Sequence, residues 1–231
     1  MIGIKCKTLL LLLIAIIGVC LPSGAQVGDL RNNLAVGFNG GVNFNNITTI
    51  PRIKQSTMKD FNGGITIRYI SEKYMALICG IQAEVNYTKR GWKELIEDES
   101  GDTYSRNMNY VEVPILTHWG FGKEKRVMVF LNLGPQVAYL LNEKENMSDP
   151  WHPGYRPVNE QYGKTVDKKF DYGITGGGGL EVRTKIGNFL IEGRYYYALS
   201  DFYNITKKDF FNRAAHTTIV GKITYLFDVT K

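Results

Sequence analysis

Cysteine is scarce in this sequence of 231 residues, which contains three. Cys6 and Cys20 fall in an N-terminal segment that we expect to be removed, so the mature chain would keep Cys79 alone. A single cysteine excludes an intramolecular disulfide and a zinc site made of cysteines. The stability of the fold must therefore come from backbone hydrogen bonds and side-chain packing.

Long apolar runs are absent after residue 25, which excludes a membrane-spanning helix there. The run that does occur, Leu9 to Cys20, is preceded by Lys5 and Lys7 and followed by the small residues at 23–25. This order is typical of a cleavable signal peptide. The sequence thus predicts an exported protein with a signal peptide at 1–25 and a single domain at 26–231.

Blocks of like charge are also missing. The chain has 28 Lys and Arg against 22 Asp and Glu, a net charge of +6, and these charges are spread singly, which excludes a nucleic-acid surface. A content of 44% hydrophobic and 12% aromatic residues excludes disorder. Metal-binding spacings are lacking, and the glycine run 176–179 is not followed by the Lys-Ser/Thr of a phosphate loop. We therefore expect no metal and no cofactor.

The dominant pattern is alternation of apolar and polar residues at period two, which predicts β-strands. Eight such runs occur, near 34–44, 60–70, 74–89, 108–119, 126–142, 169–183, 188–199 and 214–228. The connections between them are alternately long and short, as in an up-and-down antiparallel barrel. Pro114 and Pro135 fall inside two of the runs, where each removes a ladder hydrogen bond, and we expect bulges there.

One face of each run is apolar, and aromatic residues flank an aliphatic band on that face. They are Phe44, Phe61, Tyr87, Tyr139, Tyr172 and Tyr197 near the long-loop end, and Tyr69, Trp119, Phe189 and Phe227 near the short-turn end. Two aromatic girdles are typical of membrane barrels. The sequence therefore predicts an all-β, eight-stranded antiparallel up-and-down transmembrane β-barrel in the outer membrane. The alternative is a soluble periplasmic barrel that binds a lipophile, with the apolar face inside.

The opposite, polar face carries four cations and four anions. They are Arg68, Arg183, Arg194 and Lys222, with Glu84, Glu112, Glu181 and Glu192. An unpaired charge buried in a lumen costs several kcal/mol. We therefore hypothesise that these side chains pair across the lumen as a network that plugs the barrel.

Three segments resemble a known family. They are Asn86-Tyr87-Thr88-Lys89-Arg90-Gly91-Trp92, Asn109-Tyr110-Val111-Glu112-Val113-Pro114-Ile115-Leu116, and Leu133-Gly134-Pro135-Gln136-Val137-Ala138-Tyr139-Leu140-Leu141. Together they are similar to the PorT-like outer-membrane β-barrel family of Gram-negative bacteria. The resemblance implies the same barrel from about Leu34 to Phe227 and strand positions for both prolines. The namesake of that family is implicated in type IX protein secretion, which is an analogy at the level of the fold.

Catalytic residues are not evident in the pattern. His118 has inward parity near Glu112 and is expected to be a buried, hydrogen-bonded histidine, while His216 is expected at the rim of the barrel. The alternative for His118 is one half of an acid–base pair, but no Ser or Asp stands at an obvious partner position. The sequence thus favours a non-enzymatic protein, and a small lipid-modifying outer-membrane enzyme is the alternative.

Recognition is expected in the long loops, because loops on a rigid scaffold carry binding residues. The loop recognition candidates are Trp92, Trp151, His152 and Tyr155. We expect contacts with outer-membrane lipid and with other envelope or secretion proteins.

Overall fold

The fold is a ring of antiparallel strands in the computed structural model, which describes residues 28–122, 127–152 and 156–230. The described residues form eight long strands and one strand of two residues. They are β1 (Asp29–Ile50), β2 (Gln55–Ser56), β3 (Met58–Tyr74), β4 (Leu77–Glu94), β5 (Tyr104–Gly122), β6 (Val127–Met147), β7 (Phe170–Arg183), β8 (Asn188–Ala198) and β9 (Arg213–Asp228). The signal peptide expected at 1–25 lies outside the described residues.

The eight long strands close into a barrel in chain order. Each pairs with the next, and β9 returns to pair with β1, so that Phe38 lies opposite Ile65 on one side and Tyr225 on the other. The short β2 pairs with the end of β4, just before β3 begins. Closure leaves the long strands without free edges. This arrangement confirms the predicted eight-stranded, antiparallel, up-and-down barrel.

The apolar face of every long strand points outward. Phe61 is 71% exposed and Ile191 is 62% exposed, whereas Arg68 and Glu84 on the opposite face are buried. The ten aromatic residues expected in the girdles lie on this outer face, and Phe44 among them is partly covered. A soluble lipophile-binding barrel would reverse the two faces, so that alternative is wrong. No helix among the described residues is long and apolar enough to cross a membrane.

Neither proline produces the bulge that we expected. Pro114 pairs with Gln136 and Pro135 with Ile174 without a register shift. The register shifts of the barrel lie elsewhere, at Leu30/Asn33, Ile70/Glu72 and Asn109/Tyr110. The physical reason is that a residue has one N–H, directed to one neighbouring strand. A proline therefore loses a single bond, and the pairing on its other side holds the register.

At the long-loop end, four of the strands continue well beyond the predicted runs. β1 ends at Ile50 instead of 44, β4 at Glu94 instead of 89, and β6 at Met147 instead of 142, while β5 begins at Tyr104 instead of 108. Above the girdle the outer face turns polar, so the apolar-polar contrast that marks a membrane strand disappears. The barrel wall thus rises above its apolar band.

Candidate functional site

The short-turn end of the lumen holds a first group of charges, which we call the lower ion cluster (Arg68, Glu181 and Arg183). Arg68 on β3 donates two hydrogen bonds across the barrel to Glu181 on β7, at 2.7 and 3.0 Å. Arg183 donates a third to the same carboxylate at 2.8 Å. Arg68 and Glu181 are fully buried. Such bidentate pairs are among the strongest ionic contacts in proteins.

The centre of the lumen holds the middle ion cluster (Glu84, Glu192, Arg194 and Lys222). Arg194 on β8 donates to Glu84 of β4 at 2.6 and 3.0 Å and to Glu192 at 2.7 Å. Lys222 of β9 donates to Glu84 at 2.6 Å. Two cations thus balance two carboxylates, and Glu84 touches both cations. Gln82 and Asn86 donate to the remaining lone pairs of Glu84.

A glycine makes room for this cluster. Gly177 of β7 pairs with Arg194 of β8. A Cβ at this position would lie 2.9 Å from Cγ of Arg194 and 2.1 Å from the carbonyl oxygen of Gly193. The absent side chain therefore lets the arginine cross the lumen toward Glu84.

Nearer the long loops lies the upper ion cluster (Arg90, Glu112 and Asp171). Arg90 of β4 donates to Glu112 of β5 at 2.6 Å and to Asp171 of β7 at 2.7 Å. The Arg90 guanidinium lies 4.5 Å from the ring centroid of Tyr196, whose hydroxyl donates to Asp171 at 2.8 Å. The charges predicted from the sequence included Glu112 but not the other two members of this cluster, Arg90 and Asp171. Arg90 lay one residue past the predicted strand end, whereas Asp171 had inward parity inside a predicted run.

The eight charges expected to form one network therefore lie in three separate clusters. The structure brings Arg68, Glu181 and Arg183 together, and it brings Glu84, Glu192, Arg194 and Lys222 together, but it pairs Glu112 with Arg90. Between the middle and upper clusters the lumen keeps a gap of about 10 Å³. That volume holds about one water molecule. The lumen is thus filled by side chains rather than open.

The two lumenal histidines are buried, and one ring nitrogen of each contacts a polar side chain. His118 of β5 contacts Asn132 at 2.8 Å through Nδ1 and lies 3.9 Å from Glu181, so its ionic neighbour is not the expected Glu112. His216 of β9 is 1% exposed and lies 3.1 Å from the Tyr110 hydroxyl. Its expected rim position is wrong because the wall rises above it. Neither histidine faces the lipid.

Above the upper cluster, the mouth of the barrel is closed by an aromatic layer that we call the cap. Its buried members come from the strand ends and from the long loops. They are Ile47, Ile53, Trp92, Tyr104, Met108, Tyr110, Ala138, Leu140, Val166, Phe202, Tyr203, Phe211 and Ala214. The Trp92 ring of β4 stacks on Phe202 of the β8–β9 loop, with centroids 5.7 Å apart. The loops therefore fold inward over the lumen and bury aromatic surface there.

Ion pairs hold the end of β6 and the long β6–β7 connection in place. Arg106 of β5 donates to Glu143 at 2.7 Å and to Glu145 at 2.8 Å, both on the rising end of β6. Arg156 donates to Asp98 at 2.9 Å and to Asp102 at 2.6 Å. Burial alone would raise the pKa of the Asp102 carboxyl, but the hydrogen bonds from Arg156 and His152 lower it to about 2. This carboxylate therefore keeps its charge at neutral pH.

The four loop recognition candidates differ in their position and exposure. Trp92 lies in strand β4, not in a loop, and its side chain is fully buried, which corrects its expected position. Trp151 is partly covered by Tyr104 and Tyr162. The His152 side chain is 58% exposed, with Nδ1 3.3 Å from Asp102. Tyr155 lies outside the described residues.

Comparison with known proteins gives one family and several similar folds. Residues 24–204 match the family model described as "Outer membrane protein beta-barrel domain". No curated protein matches the sequence. The crystal structure of the outer membrane protein OprG from Pseudomonas aeruginosa aligns with a TM-score of 0.50 and 11% identity, over 87% of this chain and 98% of OprG. Ail, the attachment invasion locus protein of Yersinia pestis, aligns with a TM-score of 0.37 and 11% identity, over 85% of this chain and 100% of Ail.

The likeness to OprG concerns the fold alone, whereas the family match extends over most of the chain. A closed antiparallel barrel with an apolar outer band is what that family description requires. The protein is located in the outer membrane, and the chain belongs to the outer membrane protein beta-barrel domain family.

Proposed function

We propose that this protein is a non-enzymatic, non-conducting outer-membrane barrel that acts through its extracellular end. The observation that carries the proposal is the filling of the lumen at three levels by paired charges, with the cap above them. Because eight strands enclose little more than packed side chains, such a barrel has no aqueous path. Its function then depends on the surfaces that it presents outside the membrane.

The non-enzymatic part of the proposal is supported by where the acid–base groups lie. A lipid-modifying enzyme needs a nucleophile or an acid–base pair that lipid can reach at the outer rim. His118 and His216 are buried in the lumen. The exposed His152 is held by Asp102, which is itself engaged by Arg156. These arrangements favour structural roles for the histidines.

The expected partner is another envelope protein, and the resemblance to the PorT-like family extends this proposal to protein secretion. The support is the cap, because a rigidly folded loop surface is suited to protein recognition. The β8–β9 loop contributes exposed apolar side chains to it, with Ile205 at 40% and Phe210 at 42% exposure. The exposed side of residues 148–152 and 156–167 adds polar groups.

We expect no porin-type conductance from the wild-type barrel. The test is single-channel recording in planar lipid bilayers, with a heated-versus-unheated gel shift on the same preparation to prove that the barrel is folded. Paired side chains fill the lumen, so insertion should leave the baseline current unchanged. Steps comparable to those of a porin would overturn the proposal that the lumen is closed.

We also expect partner capture to depend on the β6–β7 connection. Residues 149–160 can be replaced by a short Gly-Ser linker that keeps the buried Gln161 and the cap residue Val166. The gel shift should persist, because the barrel ladder is untouched. Discrete crosslinked complexes formed in intact cells should disappear. A matched control replaces the short β7–β8 turn at 184–187, and unchanged capture by the loop variant would refute the assignment of the binding surface.

A further inference from the structure

The outer face of strands β3 to β6 changes abruptly where the upper girdle ends. On β4, outward positions run from Val85 and Tyr87 to Lys89 and Lys93. On β6 they pass from Tyr139 and Leu141 to Lys144. All three lysine side chains are exposed. The apolar face thus gives way to lysine at one height of the wall.

The three lysines surround one patch of wall, which we call the lysine patch (Lys89, Lys93 and Lys144). Lys89 pairs with Asn109 of β5, and Lys93 pairs with Ser105. Asn107 lies between them and pairs with Gly91 on one side and Lys144 on the other. From ordinary strand geometry, the Cα atoms of Lys89 and Lys93 are about 13 Å apart, and that of Lys144 is about 10 Å from Gly91.

The patch carries three positive charges on the outer face of the wall. Its side-chain neighbours on β5 and β6 are neutral, and Asn109 and Asn142 hydrogen-bond to each other at 2.5 Å. Within the described part of the chain, none of the three lysines forms an ion pair, although Lys89 is close enough to Asp60 to act on its charge. The lumenal Arg68, Arg90 and Arg194 are all paired. The lysine patch therefore presents free ammonium groups outward.

A fourth exposed lysine, outside the lysine patch, lies beside the upper aromatic girdle. Lys59 of β3 is exposed and lies 5.9 Å from the ring centroid of Phe44, a residue of the upper girdle. Aromatic girdles lie at the level of the lipid headgroups. A lysine just above a girdle can lay its methylene stem along the apolar wall and place its ammonium among the headgroups. Lysines at this height of the wall are therefore surrounded by lipid headgroups.

We propose that the lysine patch binds the phosphate groups of outer-leaflet lipid headgroups. Three exposed ammonium groups, on residues whose Cα atoms lie about 12–13 Å apart on a lipid-facing wall at headgroup height, match the charge and position of such phosphates. Neutral asparagines between the lysines supply hydrogen-bond donors for the same oxygens. The proposal is independent of the partner-binding role of the cap, because the two surfaces share no residue.

The test measures lipid selectivity around the full mature barrel in phosphatidylcholine vesicles. Spin-labelled phosphatidic acid and spin-labelled phosphatidylcholine are compared by the fraction that the protein immobilises. Each lysine near a membrane surface strengthens binding of an anionic headgroup about fivefold. The wild-type protein should therefore favour phosphatidic acid, and the variant K89Q/K93Q/K144Q should lose most of that preference.

A control variant removes the same number of charges elsewhere. K54Q/K207Q/K208Q changes exposed lysines in the connection between β1 and β2 and in the tip of the β8–β9 loop, and it should keep the wild-type preference. Folding of each variant is checked by the gel shift. If the triple variant does not fold, the single variants K89Q and K144Q are measured in its place. A wild-type ratio near one, full preference in the patch variant, or equal loss in the control would overturn the proposal. Millimolar inorganic phosphate should not change the ratio, and abolition by it would assign the site to free phosphate instead.

Discussion

Replacement of Glu84 by glutamine is expected to lower the free energy of unfolding of the barrel by about 3–5 kcal/mol. Glu84 is 1% exposed and is the shared acceptor of the middle ion cluster, because it receives hydrogen bonds from both Arg194 and Lys222. Removal of its charge leaves the Lys222 ammonium buried without a counter-ion. The measurement is the urea midpoint of the barrel refolded into lipid vesicles, read from the gel shift.

Two further variants separate the loss of a counter-ion from the loss of a hydrogen bond. E84Q/K222M removes both members of the pair, and it should recover most of the stability, since no unpaired charge then remains. E192Q removes one carboxylate of equal burial, but Arg194 and Lys222 both keep Glu84, so its cost should be clearly smaller. If E84Q and E192Q are equally destabilising, or if the double variant is worse than E84Q, the special role of Glu84 is refuted.

The lumen shows why parity could predict the participants but not the partners. Parity along a strand fixes which side chains point inward, and this was enough to place Glu84, Arg194 and Lys222 inside the barrel. Which charges meet depends on the relative height of strands that are far apart in sequence. Arg68 and Glu181, separated by 113 residues, are brought together by strand tilt and register. Those quantities follow from closure of the whole ring and are not written in any single run.

The long-loop end was the less predictable part for a different reason. Membrane strands are recognised by the contrast between an apolar outer face and a polar inner face. Above the girdle this contrast reverses on β4, where Trp92 points inward and Lys93 outward. Trp92 therefore looked like a loop aromatic, although the same inward parity continues from Glu84 through Arg90. If the inward–outward alternation is continued past the end of the apolar outer face, both Arg90 and Trp92 are correctly placed on the inner face of β4.

Replacement of Trp92 by alanine is expected to open the cap while leaving the barrel folded. The side chain is fully buried between the wall and the β8–β9 loop, where it stacks on Phe202 and lies 5.6 Å from the Arg106 guanidinium. Loss of a buried tryptophan costs about 3–5 kcal/mol. If that cost falls on local opening, amide hydrogen exchange in the cap should accelerate by about 100-fold or more. Mass-spectrometric exchange on the vesicle-embedded protein measures this directly.

The cap and the barrel band should respond independently because different contacts hold them. The band is held by strand ladders from β1 to β9, whereas the cap depends on aromatic packing and on Arg106 with Glu143 and Glu145. W151A is the matched control, since Trp151 belongs to the same layer but is only partly covered, and its effect should be about half as large in free energy. Equal acceleration in both variants would mean that burial of Trp92 does not hold the cap. Faster exchange throughout the band of W92A would mean that cap and barrel unfold as one unit, and the cap could then not be a separable surface for recognition.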